Sequence, residues 1–139
     1  MYVAGELMTE NPTAIVSSAK VSEAVELFQA LDVRHLPVVN EDRNLLGMLS
    51  DRDLRSLVVP QLVGSEWLGS VQTALDARVS TLMSGNVISV DLDSGADEII
   101  ELMLEHKIGA VPVIDADGKL VGIVSYVDLL RQIASQLDG

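Results

Sequence analysis

Apolar residues in this chain fall into short runs and helical stripes that come twice in the same order. Thr13-Ala14-Ile15-Val16 predicts a short strand, and Val21, Ala24, Val25, Phe28 and Leu31 recur at the spacing of one helix face, so a helix is expected from about Ser22 to Asp32. Leu36-Pro37-Val38-Val39 and Leu45-Leu46-Gly47-Met48-Leu49 flank the polar, turn-rich stretch Asn40-Glu41-Asp42-Arg43-Asn44, which is the pattern of a β-hairpin. A second helix is expected to start near Asp51. Further on, Val87-Ile88-Ser89-Val90 predicts a strand, and Ala96, Ile99, Ile100 and Met103 mark a helix face. Val111-Pro112-Val113-Ile114 and Leu120-Val121-Gly122-Ile123-Val124 form another hairpin. Its turn, Asp115-Ala116-Asp117-Gly118-Lys119, holds a glycine able to take positive φ.

The two series superpose without a gap at a constant offset of 75 positions, Leu7-Met8-Thr9 falling on Leu82-Met83-Ser84 and Asp53-Leu54 on Asp128-Leu129. Each unit is β-α-β-β-α and must bury its apolar face against something, most simply its copy. With 139 residues in all, the expected fold is α/β (α+β): two pseudo-symmetric repeats packed sheet to sheet as one compact module. The expected division is repeat one at 1–59, a linker at 60–81 and repeat two at 82–139. The linker contains Gly64, Trp67 and Gly69, and Val71 to Val79 could form a short helix.

A net charge of −12 opposes approach of a polyanion, and no Lys/Arg stripe is present, so nucleic acid is not an expected partner. A small anion is a different matter, because a few local cations and backbone amides outweigh a diffuse field at contact distance. The absence of cysteine excludes disulfides, thiolate metal sites and cysteine nucleophiles. No apolar run is long enough for a bilayer and no charged-then-apolar leader opens the sequence, which gives a soluble, cytoplasmic expectation. An alternative expectation is that the stretch is cut from a larger polypeptide.

Both hairpins end in Gly-apolar-apolar-apolar-Ser-x-x-Asp-Leu, as Gly47-Met48-Leu49-Ser50-Asp51-Arg52-Asp53-Leu54 and Gly122-Ile123-Val124-Ser125-Tyr126-Val127-Asp128-Leu129. With Leu36-Pro37-Val38-Val39 and Val111-Pro112-Val113-Ile114 upstream, the ordered set resembles a tandem pair of cystathionine-β-synthase (CBS) domains, the Bateman module. The resemblance covers almost the whole chain outside the linker. It implies a regulatory ligand, an adenine nucleotide or adenosyl compound (AMP, ADP, ATP or S-adenosylmethionine), held in the cleft between repeats, with no required cofactor.

On the residues themselves, Ser-x-x-Asp reads first as a capping box, with an acid placed to favour the helix dipole. The same geometry leaves N–H groups at a helix start where a phosphate can sit. A carboxylate one turn in can accept bonds from both ribose hydroxyls. The resemblance assigns ribose to Asp53 and Asp128 and phosphate to Ser50 and Ser125. It places the base near Thr13 and Ile88, with Val33 and Ile108 nearby, although such residues are ordinarily packing. Repeat one adds Arg34, His35 and Arg52, where repeat two has Gly109, Ala110 and Val127. These cations suit a phosphate; the competing reading is solvated surface charge paired with Asp51 or Asp32. Repeat two, lacking them, would suit an uncharged nucleoside or S-adenosyl compound, or stay empty. Tyr126 would pack on a ligand or cover the helix start.

His35 and His106 are the only histidines, and neither has a metal-ligand partner at a suitable spacing, so no metal site is expected. Asp91/Asp93 and Asp115/Asp117 fall in turns, where solvated acids are the ordinary case. No nucleophile elbow or Walker loop occurs, so no enzyme is expected. The resulting expectation is a non-catalytic, energy-sensing homodimer that passes ligand occupancy to an unknown downstream protein. Leu54, Leu57, Val58, Leu129, Leu130 and Ile133, on the helices after each hairpin, are the candidates for coupling ligand to a dimer surface. The alternatives are a constitutive interaction module with vestigial pockets, or the regulatory fragment of a larger enzyme, channel or transporter.

Overall fold

The computed structural model describes residues 2–58 and 67–138. In chain order the elements are α1 (Ala4–Leu7), β1 (Thr9–Glu10), β2 (Ile15–Val16), α2 (Val21–Leu31), β3 (His35–Val39), β4 (Leu45–Ser50), α3 (Asp51–Val58), α4 (Trp67–Asp76), a 3-10 turn (Val79–Thr81), α5 (Ala96–His106), β5 (Ala110–Ile114), β6 (Leu120–Ser125) and α6 (Tyr126–Asp138). The hairpins and the helix after each lie where the hydrophobic pattern puts them. The linker helix runs Trp67–Asp76 rather than from Val71 to Val79. The side chains of Leu57, Val58 and Trp67, and all of Gly64, lie outside the described residues.

The backbone forms two compact units that are not the two sequence repeats. One comprises Thr13–Asp42 and Leu46–Val87; the other comprises Met1–Pro12, Arg43–Leu45 and Ile88–Gly139. The first carries the sheet β2-β3-β4 and the second the sheet β1-β6-β5. The opening segment of each repeat therefore lies against the hairpin of the other repeat. Thr9 pairs antiparallel with Ile123, and Ser84 makes the equivalent bridge to Met48.

This exchange explains why the glycine before each apolar triplet is repeated. A Cβ on Gly122 would overlap the Met8 side chain, and one on Gly47 would stand 2.6 Å from the Ser84 carbonyl oxygen and 2.8 Å from Met83 Sδ. Only a residue without a side chain lets the incoming segment lie this close.

Each unit has its own core. In the β2-β3-β4 unit, Leu36, Val38 and Leu49 from the hairpin meet Val21 and Ala24 of α2 and Leu54 of α3. In the β1-β6-β5 unit, Val111, Val113 and Val124 occupy the same register positions and meet Ile99 and Met103 of α5 and Leu129 of α6. Both α2 and α5 stop at a left-handed residue, Asp32 with φ 51° and Lys107 with φ 55°, whose N–H reaches back to the carbonyls of Phe28 and Met103.

The strand expected over Val87-Ile88-Ser89-Val90 is reduced to one parallel bridge between Val90 and Val113. The Asp91 carboxylate accepts from Asp93 N–H at 2.9 Å, and Asp91 N–H donates to Ser94 Oγ at 3.2 Å. That turn closes immediately after Val90 and ends the ladder. In the other unit Ser17 N–H extends the ladder by bonding the Val39 carbonyl at 3.0 Å.

Candidate functional site

In the β2-β3-β4 unit, β2 runs parallel to β3 with Ile15 opposite Val38. Thr13, two residues before Ile15, is thus at the sheet end where β3 begins. Val33, Arg34 and His35 lead into β3 at that same end, and Ser50, the last residue of β4, turns the chain into α3. The Asp51 N–H bonds the Arg34 carbonyl at 3.1 Å, which ties the start of the strand to the start of the helix. One edge thereby gathers Thr13, Val33, Arg34, His35, Ser50, Arg52 and Asp53.

Ser50 and Asp53 form a reciprocal capping box. Ser50 N–H donates to Asp53 Oδ2 at 2.8 Å, and Asp53 N–H donates to Ser50 Oγ at 3.2 Å. Among the described residues, Asp53 Oδ1 accepts no hydrogen bond and the Ser50 hydroxyl donates none. The cap leaves one acceptor and one donor unused at the helix mouth.

Arg34 and Arg52 are exposed. Ion pairs join Lys20 with Asp76 and Arg131 with Asp128; among the described residues, neither Arg34 nor Arg52 is paired with Asp32 or Asp51. His35 is half-buried. Its burial holds the imidazole below its ordinary pKa; Asp51 and Asp53 pull it upward, and Arg34 adds to the lowering. Thr13 is exposed and Val33 is 38% exposed, so neither is a core residue.

The β1-β6-β5 unit repeats the arrangement. Ser125 ends β6 opposite Ala110, and Tyr126 N–H bonds the Gly109 carbonyl at 3.0 Å. Ile108 precedes β5 and packs on the core of this unit, and Ile88 is half-buried two residues before the Val90 bridge. Ser125 N–H donates to Asp128 Oδ2 at 2.8 Å and Asp128 N–H to Ser125 Oγ at 3.3 Å. Here the Ser125 hydroxyl also donates to Asp128 Oδ2 at 3.0 Å, and Arg131 Nη1 stands 3.5 Å from Asp128 Oδ1. Arg131 was not singled out from the sequence, although its position three residues after Asp128 on a helix is a spacing at which such pairs meet. Tyr126 is 48% exposed.

The Asp115 carboxylate has a structural role. Asp115 Oδ1 accepts from the N–H groups of Asp117 and Lys119 at 2.9 and 3.0 Å, which makes it the organiser of its own turn. Among the described residues, no group of three or more His, Asp or Glu could hold a metal ion, and no helix is long and apolar enough to cross a membrane. Of the coupling candidates, Leu54 and Leu129 lie in the two cores, whereas Leu130 and Ile133 are 59% and 48% exposed.

Comparison with known proteins agrees with this architecture. The sequence model of the CBS domain matches residues 4–60 and 79–135. The CBS domain-containing protein CBSX1, chloroplastic, of Arabidopsis thaliana is 31% identical over 151 residues, covering 94% of this chain and 64% of that protein, so the chain spans less than two thirds of its length. Among solved structures, CBSX2 in complex with AMP superposes with a TM-score of 0.83 at 30% identity, covering 100% of both chains. The cytosolic domain of the Mg2+ channel MgtE in complex with ATP gives a TM-score of 0.74 at 29% identity, covering 94% of this chain and 48% of that one.

Proposed function

Because the chain belongs to the CBS domain family, we propose that it is a regulatory module that binds an adenine nucleotide or adenosyl ligand and transmits its occupancy to a partner. One observation carries the reading: among the described residues, the Ser50–Asp53 cap leaves Asp53 Oδ1 and the Ser50 hydroxyl unused beside Arg34, His35 and Arg52. In this reading Asp53 accepts from the ribose hydroxyls. The Ser50 hydroxyl, the Arg52 N–H and the side chains of Arg34, Arg52 and His35 receive the phosphate. Thr13 and Val33 border the base. Asp128, Ser125, Ile88 and Ile108 play the corresponding parts in the β1-β6-β5 unit, without the strand-start cations. The reading is supported by the likeness to CBSX2 with AMP and to MgtE with ATP.

No reaction is assigned to the chain, and the ligand acts as a signal rather than as a cofactor. The functional division follows the sequence, repeats 1–59 and 82–139 joined by 60–81, each repeat supplying one capped helix start. A cytoplasmic homodimer is the assembly we favour. The exposed apolar side chains Val127, Leu130, Ile133 and Leu137 of α6 support a surface covered by a second copy. The chain's coverage of only 48% of the MgtE structure supports a second setting, as the regulatory segment of a larger protein.

Thermal unfolding with AMP, ADP, ATP and S-adenosylmethionine tests the reading. A ligand at 100 times its Kd adds about 2.7 kcal/mol to stability. A folded protein whose midpoint moves with none of the four would refute it.

A further inference from the structure

We propose that Arg131 guards the acid of the second capped helix and makes the β1-β6-β5 unit the weaker of two adenylate sites, an inference that rests on the ribose reading of Asp53 and Asp128. The two carboxylates begin alike, each taking the N–H of its serine on Oδ2 at 2.8 Å. Beyond that bond they differ. Asp128 Oδ2 also accepts the Ser125 hydroxyl at 3.0 Å, and Asp128 Oδ1 faces Arg131 Nη1 at 3.5 Å. A ribose arriving at Asp128 must displace a cation and a hydroxyl that a ribose arriving at Asp53 does not meet.

The position of the guard is specific to one repeat. At the offset of 75, Arg131 falls on Ser56, whose hydroxyl is turned to the Arg52 carbonyl at 2.9 Å. Among the described residues, no ion pair reaches Asp53 from that turn of the helix. The Arg131 side chain is 74% exposed while that of Asp128 is 12% exposed, so the arginine is the partner free to swing away. An exposed pair of this kind is worth a few-fold in affinity, so the guard weakens the site by about fivefold and does not close it. It acts on the ribose acid, and therefore equally on ligands with and without phosphate.

Isothermal titration with AMP and with adenosine tests this. In an Asp53→Ala background, which isolates the second site, Arg131→Ser is expected to tighten both ligands by about fivefold. The reciprocal Ser56→Arg in an Asp128→Ala background is expected to weaken both at the first site by a similar factor. Arg131→Gln in the otherwise native chain, read on the weaker phase of the isotherm, gives the same comparison if an Asp→Ala background does not fold. Unchanged affinity on removing Arg131, or a loss confined to AMP, overturns the proposal; the latter result would make Arg131 a phosphate ligand. A native chain that binds neither ligand refutes the adenylate reading itself, an outcome distinct from binding that Arg131 does not modulate.

Discussion

Asp53 does two jobs in the proposed mechanism, and the geometry allows them to be separated by substitution. Its Oδ2 caps α3 through Ser50 N–H at 2.8 Å, while Oδ1 accepts nothing among the described residues. Asp53→Ala removes both functions. Loss of the cap costs about 1 kcal/mol of stability. Loss of one or two charge-assisted ribose bonds, at roughly 1.5 to 3 kcal/mol each, weakens AMP by about 10- to 100-fold or more. Asp53→Asn keeps an oxygen for Ser50 N–H but gives up the charge and the second acceptor. It is expected to melt close to the native protein while binding AMP at least about tenfold more weakly. The discriminating assay is titration with AMP and 2′-deoxy-AMP in an Asp128→Ala background, which leaves the first site alone, with and without Asp53→Ala. In that background the chain that keeps Asp53 should favour AMP, and the one that lacks it should lose the preference, because removing either partner of one bond removes the same energy. If Asp53→Ala there lowers the melting temperature but keeps the preference for the 2′-hydroxyl, Asp53 is a cap alone and the ribose assignment fails.

Replacing both Arg34 and Arg52 by Ala is expected to weaken AMP by about tenfold and adenosine by less than about twofold, measured by titration calorimetry; equal losses would remove both from the phosphate. Burial lowers the His35 pKa, so the folded chain binds fewer protons there than the unfolded one. Stability should rise with pH across the interval from that lowered pKa to the ordinary value near ~6.5 and be complete above it. His35→Gln should flatten this part of the denaturation-versus-pH curve, and relative to that variant the native chain should gain AMP affinity on acidification, since a phosphate favours the imidazolium; identical pH profiles would exclude both effects. Gly122→Ala should destabilise by about 1–3 kcal/mol in urea melts and be partly rescued by Met8→Ala, because the clash is with a flexible side chain. Gly47→Ala should cost more and resist rescue by Met83→Ala, because the Ser84 carbonyl oxygen remains 2.6 Å from the new Cβ; equal rescue of the two would contradict the packing account.

Local pattern and repetition were enough to foresee the hairpins, the helices after them and the Ser-x-x-Asp caps, because each is decided within a dozen residues. The exchange of leading segments was not legible. Pairing Thr9 with Ile123 is a contact over more than a hundred positions, and β1 is only two residues long, so no periodicity announces it. Its trace in the sequence is the recurring combination of Met8 with Gly122 and Met83 with Gly47, which becomes readable once the close approach is seen. The failed strand before Val90 has a similar origin: the expectation counted apolar residues and overlooked Asp91, Asp93 and Ser94, whose mutual bonds end the ladder at once.

The candidate site was legible in composition but not in availability. Ser-x-x-Asp predicts a capping box in both repeats, and both repeats have one. Whether the acid has anything left to offer a ligand depends on residues outside the motif. Three positions downstream, Arg131 occupies the acid of one repeat, while Ser56 turns to its own helix in the other. Upstream, Arg34 and His35 set the field at one helix start, and Gly109 and Ala110 set none at the other. An identical motif is thus compatible with a closed cap and with a half-open one, and in the proposed function the partition of a single carboxylate's oxygens is what separates a helix terminus from a binding site.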